Sequence, residues 1–553
     1  MRRRRVPARK ASDVFVECLE AEGVQHVFGI PGEETLDLNE SLAKSSIEFL
    51  PVRHEQGGAY MADVWGRLTG RAGVCLGTLG PGALNLVTPV ADALLDHAPL
   101  VALTGQGDLE RMHKESHQYI DIVSVMKPIT KWNARLNAAH IVPEVVRKAF
   151  KVAEAQKPGP THIELPEDVM AEEIDASPLP VRKGIRRPKV SDEELKVAAD
   201  IINNAEHPIV LAGHGVVRVK ATPALRAFCD ATGIGAAESF MGRGALDSDD
   251  VKALGSVGLQ AGDYKMAGFE DADVVIAVGY DLVEQSPELW NPKRDKTIIS
   301  IDTTSTEVDE HFVTEIDLIG DFDYILRRLA DECEPVTNVS GSQRLREVVL
   351  GRFEAAKDDE HWPMQPPRAL YEIRQVLGRE DILVSDVGLH KLWIGRMFPA
   401  HEPNTVLIAN GLAGMGFAVP AAIAAKLVHP DRAVVAVNGD GGFMMNMQEL
   451  ETAKRLKTPF VSVIWENRQY GSIVWKQDNR FGEHFGVDFT NPDFVGLAES
   501  FGLPAWRCDS VEDYADKLRH AAALDVPSVI VVPIDYSLDV AISEELGREF
   551  VAS

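Results

Sequence analysis

The sequence predicts an α/β protein built as three doubly wound, parallel-sheet domains. Strand-like and helix-like segments alternate along the whole chain, the pattern of βαβ units. Several of the strands are continuous apolar runs closed by glycine, as in "AGVCLGTLGPG" (72–82) and "RAVVAVNGDGG" (432–442). Pro-rich and polar intervals then cut the chain into blocks, and 553 residues are too many for one core.

The first block, 9–176, holds the strands "HVFGIPG" (26–32), "AGVCLGTLGPG" (72–82) and "PLVALTGQ" (99–106), and "THIELPEDV" (161–169) closes it. The stretch "SPLPVRKGIRRPKVS" (177–191) reads as a linker. A second block, 192–333, carries "HPIVLAGHG" (207–215), "ADVVIAVGYD" (272–281) and "KTIISIDTT" (296–304), a nucleotide-binding-like unit. After "EPVTNVSGSQ" (334–343) and "HWPMQPPRA" (361–369), a third block, 365–545, supplies "DILVSDVG" (381–388), "RAVVAVNGDGG" (432–442), "FVSVIWENRQYG" (460–471) and "SVIVVPIDY" (528–536).

Bulk properties exclude several functions. A formal charge of −27 argues against nucleic acid, which needs clustered Lys and Arg. Five scattered cysteines without a C-x-x-C pair indicate neither a disulfide framework nor a zinc site, and a reducing cytoplasm suits them. The opening "MRRRR" lacks a following apolar region and reads as a disordered tail; "ASDVFVECLEAEGV" after it is an amphipathic helix. No run of about 18 apolar residues suggests a membrane span.

The most informative stretch is "VNGDGGFMMNMQELETAKRL" (437–456). A buried strand ends in Gly439-Asp440-Gly441-Gly442 and runs into a helix, read over 445–456 with Met444, Met447, Leu450 and Ala453 on one apolar face. Glycines there let backbone approach a phosphate, but a lone carboxylate would repel one unless a cation lay between. The next strand ends in "WENRQYG". A right-handed crossover sets two parallel strand ends side by side, with Asn467 next to Asp440. Asp440, the Asn467 amide oxygen and a backbone carbonyl near Gln469 form an all-oxygen half-shell suited to Mg²⁺.

"GDGGFMMNMQELETAKRLKTPFVSVIWEN" resembles the diphosphate–magnesium motif of the thiamine diphosphate enzymes, and the likeness extends over roughly residues 9–545. It is closest to the acetolactate (acetohydroxyacid) synthases of the flavin-independent, catabolic kind. The resemblance implies pyrimidine-binding, central and diphosphate-binding domains in that order, with thiamine diphosphate and Mg²⁺ as cofactors. It implies a homodimer or homotetramer with active sites at the chain interface. The "RHEQ" segment places Glu55 where the family's glutamate contacts the pyrimidine N1′; a carboxyl sharing a proton there lets the cofactor's own amino group act as the base. "TLGPGALN" puts Gly80, Pro81, Gly82 and Asn85 at the turn against the pyrimidine, and "ESHQYIDIVSVMKPITKW" supplies the active-site glutamine, Gln118. His117 precedes it where synthases often have an aromatic residue, with His113 nearby. In "SDVGLHKLW", Val387, Gly388, Leu389 and His390 match the diphosphate-contacting turn. Ala413 lies in the matching "NGLAGMG" segment, and Met415 stands where the family supports the bent cofactor; Tyr470 and Gly471 follow Gln469 at the metal loop.

Two departures matter. Lys476 replaces the tryptophan of flavin-containing synthases and the glutamine of flavin-free ones, which raises the expectation that it faces the acceptor pocket and favours an acceptor with an additional carboxylate, or binds the keto acid's own. The central segment "VGYDLVEQSPELWN" (278–291) is acidic where flavin-binding relatives carry an arginine, so no FAD is expected. The expected reaction is decarboxylation of pyruvate and carboligation to a second 2-oxo acid, giving acetolactate or a related acetohydroxyacid. The rivals are a decarboxylase releasing aldehyde, a ligase using another keto acid, and a non-catalytic scaffold of the same fold. A nicotinamide dehydrogenase lacks its G-x-G-x-x-G after a strand.

Overall fold

The structure is a computed structural model that describes residues 9–181, 187–259 and 261–538. The Arg-rich opening, part of the 177–191 interval and the end of the third block therefore lie outside the described residues. The described part contains three six-stranded sheets, each parallel throughout.

In the first sheet the strands lie side by side as Glu48–Pro51, His26–Gly29, Gly73–Gly77, Leu100–Gln106, Pro160–Pro166 and Trp132–Arg135. The third repeats that order: Val406–Ile408, Ile382–Ser385, Val434–Gly439, Val461–Glu466, Ser528–Pro533 and Ala505–Arg507. Numbered within each sheet, both read 2-1-3-4-6-5, a shared topology that sequence alone does not reveal. The middle sheet reads 3-2-1-4-5-6, the doubly wound dinucleotide-fold order, with Pro208–Ala212 beside Val274–Val278 at its switch point. Strands such as Leu100–Gln106 and Val461–Glu466 are buried at every residue, which suits their largely apolar sequences.

The contact pattern divides the chain into two compact units. One comprises residues 1–185, 411–430 and 444–458; the other comprises 186–410, 431–443 and 459–553. Within the first, helix Glu55–Thr69 is buried along most of its length. His54 caps its start by accepting the Gln56 N–H on its side chain, and Gly70, at φ +73°, ends it. Its glycines permit close packing: a Cβ on Gly66 would run into Pro99 O, and one on Gly58 would touch the Phe28 carbonyl. Helix Ala418–Val428 packs against it, with Tyr60 edge-on to Phe417.

One sequence expectation needs correction. The helix after the Gly-Asp-Gly-Gly turn does not start at 445. It starts at Asp440, runs to Asn446, and a second helix spans Glu449–Leu456. Met444 is 39% exposed, and the buried face begins instead with Phe443 and continues through Asn446, Glu449, Leu450 and Ala453. The break at 447–448 resets the inward face: Phe443 and Asn446 point inward from the first helix, whereas the expected Leu450 and Ala453 remain buried on the second.

Candidate active site

The carboxyl edge of the third sheet brings together the ends of strands Ile382–Ser385, Val434–Gly439 and Val461–Glu466, with the switch point between the first two. Asp440 is 1% exposed. Its Oδ2 accepts the backbone N–H groups of Asn467 (3.1 Å) and Arg468 (2.6 Å) and the Asn491 side-chain amide (2.8 Å), while Oδ1 accepts the Gly441 N–H (3.0 Å). Burial nevertheless pushes its carboxyl above the ordinary range, against those four hydrogen bonds. No lysine or arginine pairs with it among the described residues.

The neighbouring residues complete a small concave setting. Gly471 lies close to Asn467, since a Cβ there would stand 3.2 Å from the Asn467 amide nitrogen and 2.8 Å from Leu389. Gly442 sits against Asp386, and Gly441 against the Tyr470 ring, which itself meets the Phe489 ring at a tilt, centroids 4.9 Å apart. Gln469 is tied outward, its amide donating to Asp488 at 2.7 Å. His390 is 2% exposed, and burial lowers its pKa to about 3, which keeps the ring neutral. Its Nε2 has no hydrogen-bond partner among the described residues, and its ring edge faces Gly439, where a Cβ would lie 3.1 Å from Cε1. An orphaned buried nitrogen, glycine backbone at a helix start and a hard oxygen set without a counter-ion fit a diphosphate held through a divalent cation.

In the other unit, Glu55 is the first residue of helix Glu55–Thr69 and is 6% exposed. Its Oε2 accepts the Asn85 side-chain amide at 2.9 Å. A Cβ on Gly82 would come within 3.1 Å of Oε1, so the 80–82 turn lies directly on the carboxyl. Gly80, at φ +52°, lets that turn meet the backbone carbonyl of Gln118, itself at φ +58°; any Cβ at 80 would collide with it. Glu55, Gly80, Pro81, Gly82, Asn85 and the Gln118 backbone thus form one cluster. The Gln118 side chain is exposed, as are His113 and His117.

The segment carrying Met415 is anchored in the same unit. Gly411 N donates to Asp96 Oδ1 (2.6 Å), Gly414 N to Asp92 Oδ1 (3.4 Å), and the Gly416 carbonyl accepts the Asn446 amide (2.7 Å). Ala413 is held at φ +58°, and Met415 is half-buried, its carbonyl facing the Gln56 amide at 3.4 Å. Lys476 lies on helix Gly471–Phe481, which buries none of its residues, and is exposed.

Sequence reasoning missed Asn491. It bridges Asp440 to Glu466 Oε1 (3.2 Å), and Glu466 pairs in turn with Arg507 at 2.8 and 2.9 Å. It lies in a loop 51 residues beyond Asp440, with no local pattern to flag it. Glu449 was also missed; its charged helix-start context, "MQELET", looks solvated, yet it is fully buried.

Three family models match the chain: the thiamine pyrophosphate enzyme N-terminal TPP binding domain over 9–125, the central domain over 195–329 and the C-terminal TPP binding domain over 386–532. The chain is 34% identical to an acetolactate synthase of Bacillus subtilis (strain 168), over 98% of this chain and 96% of the relative. It is 34% identical to a catabolic acetolactate synthase of Raoultella terrigena, over 95% of each chain. It is also 32% identical to the acetolactate synthase isozyme 2 large subunit of Escherichia coli (strain K12), over 94% of each.

Proposed function

The chain belongs to the thiamine pyrophosphate enzymes, in their acetolactate synthase branch, and from that premise we propose that it decarboxylates pyruvate and joins the remaining two-carbon unit to a second 2-oxo acid. The observation that carries this reading is the buried Asp440 carboxylate, without a lysine or arginine partner among the described residues and beside Asn467, at the switch point of the third sheet.

Thiamine diphosphate, when bound, supplies the carbon centre that takes up the electron pair freed as CO₂ leaves and passes it to a second carbonyl. The chain's own residues bind and orient. Asp440, the Asn467 amide oxygen and the Gln469 carbonyl hold Mg²⁺ in this reading. The turn Val387, Gly388, Leu389, His390 and the helix start at Gly439, Gly441 and Gly442, with Tyr470 and Gly471 alongside, receive the diphosphate. Glu55 holds a proton at the pyrimidine N1′ through its carboxyl, with Asn85 steadying Oε2 and Gly80, Pro81 and Gly82 shaping the turn beside it. Met415, with Ala413, backs the cofactor's bend, and Gln118 meets the reacting acids. Domain roles follow as 9–176 for the pyrimidine end, 192–333 for the central domain and 365–545 for the diphosphate end.

The proposal extends to the middle sheet, which we read as carrying no FAD. At its switch point Gly213, Gly215 and Gly279 pack backbone to backbone, with Gly215 N donating to Gly279 O at 2.8 Å. The helix-start N–H of His214 that would face a pyrophosphate donates instead to Glu284 Oε1 at 2.9 Å. Glu284 thus takes up that N–H, which supports the reading. A flavin absorbance band in the purified protein would refute this. Assembly in two or four copies and a cytoplasmic setting belong to the same reading. All five cysteines are free and buried, and no helix among the described residues is long and apolar enough to cross a membrane.

The test is incubation with thiamine diphosphate, Mg²⁺ and pyruvate, with acetolactate and acetaldehyde assayed together. Excess acetolactate supports the synthase reading; acetaldehyde alone makes the protein a decarboxylase. The exposed ammonium of Lys476 favours an acceptor whose carboxylate it binds, and an unchanged acceptor preference in K476Q would dispose of that role.

A further inference from the structure

The entry to helix Glu55–Thr69 is gripped by a carboxylate with no part in the mechanism so far. Glu449 begins helix Glu449–Leu456 and is 0% exposed. Its Oε1 accepts the backbone N–H groups of Arg53 and His54, both at 3.0 Å. Its Oε2 accepts the Thr452 hydroxyl at 2.6 Å and lies 3.3 Å from the Arg53 nitrogen. These are the two N–H groups immediately before Glu55. Gly57, the third residue of the helix, leaves space for the carboxyl: a Cβ there would stand 2.8 Å from its Cδ. The guanidinium of Arg455, on the same helix as Glu449, donates to the Pro51 carbonyl at 2.5 Å, so the 51–54 segment is held at both ends.

We propose that Glu449 is a positioning residue for Glu55, its carboxylate fixing the 53–54 backbone so that the Glu55 carboxyl meets the cofactor in register. This rests on the reading of Glu55 given above. Burial raises the Glu449 carboxyl to about 7. The Thr452 hydroxyl and the Arg53 and His54 N–H groups lower it, but by less than burial raises it. Glu451 on its own helix raises it further, Arg455 is engaged with Pro51, and Arg53 and His54 offer backbone N–H. Helix Ala418–Val428, which also packs against it, carries Lys426, whose ammonium donates to the Pro430 carbonyl. The grip is charge-assisted above about pH 7 and weakens as pH falls through that value and the carboxyl takes a proton.

The test compares wild type, E449Q, G57A and E55Q from about one pH unit below to about one above that value. Thiamine diphosphate affinity is read by tryptophan quenching with Mg²⁺ present, acetolactate formation by rate, and amide exchange over 50–57 on protein without cofactor. In wild type, affinity should improve about tenfold as pH rises through the window, the difference between charge-assisted and neutral hydrogen bonds. E449Q, a neutral isostere, should stay at the low-pH level throughout and exchange its 53–54 amides faster. G57A, which displaces the carboxyl while leaving its charge, should do the same and decides the matter if E449Q fails to fold. Wild-type pH dependence in E449Q, with E55Q inactive, overturns the proposal alone. A lowered melting temperature with an unchanged pH profile assigns Glu449 to stability only and also overturns it. Full activity in E55Q refutes the reading of Glu55 and the proposal with it.

Discussion

Replacing Arg67 by Met should destabilise the protein in a way that depends on pH. Arg67 is buried among three carboxylates. Its side chain is 3% exposed; it donates to Asp63 at 2.5 and 3.1 Å and to Asp96 at 3.0 Å, and it lies 3.9 Å from Asp92. One guanidinium thus serves three buried carboxyl groups. Asp63 is accordingly raised by burial, and Asp92, whose Oδ2 lacks a hydrogen-bond partner among the described residues, is pushed well above the ordinary carboxyl range. Removing a charge partner from such a buried site costs about 3–5 kcal/mol. In a unit of this size that is a fall of roughly 6–20 °C in melting temperature. The sign with pH follows from proton counting. A carboxyl raised in the folded state binds more protons folded than unfolded, so stability falls as pH rises from the ordinary carboxyl range to the raised value. Without Arg67 the raised values move higher still and the window extends upward. Thermal unfolding of both proteins on either side of neutrality should therefore show a wider gap at the alkaline end. A gap independent of pH, or a variant melting with wild type, would refute the account. Because Asp96 and Asp92 also hold Gly411 and Gly414, the variant should lose activity at temperatures where it is still folded.

Other predictions use the same geometry. D440N keeps the shape of the site but removes its charge, so the thermal stabilisation that Mg²⁺ with thiamine diphosphate gives wild type should disappear while the cofactor-free melting temperature holds or rises. G80A must adopt φ +52° and meets the Gln118 carbonyl; a cost of about 1–3 kcal/mol and a displaced 116–121 loop should appear as a lower melting temperature and faster proteolysis there. The burial that raises Glu449 to about 7 from 4.5 costs wild type about 3 kcal/mol above neutrality. E449Q should therefore gain on wild type in melting temperature as pH rises between those values and show a constant offset outside them.

How much of this was legible in the chain follows from burial. In the first and third sheets the strands read from sequence are the four inner ones, closed on both faces and hence rich in apolar residues. Those missed are the edges: Glu48–Pro51, Trp132–Arg135, Val406–Ile408 and Ala505–Arg507. Three are half-exposed and two are only three residues long, too little for a periodic signal. The same contrast holds at the candidate site. Asp440 and Asn467 announce themselves because each ends an inner strand, and Glu55 because it opens a helix. Asn491 and Glu449 act at a distance of 51 and about 400 residues from their partners, and only the folded chain brings them there.

The division of the chain into units carries a consequence for its synthesis. The unit that contains Glu55 is discontinuous: it closes with residues 411–430 and 444–458, some 270 residues after its first part ends. At about 5–20 residues per second, a ribosome needs roughly 15–55 s to deliver those segments. During that interval the helix Glu55–Thr69 is without the Ala418–Val428 helix that covers it, and Arg53 and His54 are without Glu449. The N-terminal third of the nascent chain thus exposes apolar surface until most of the protein has been made, and a truncation after residue 185 should require a chaperone or precipitate.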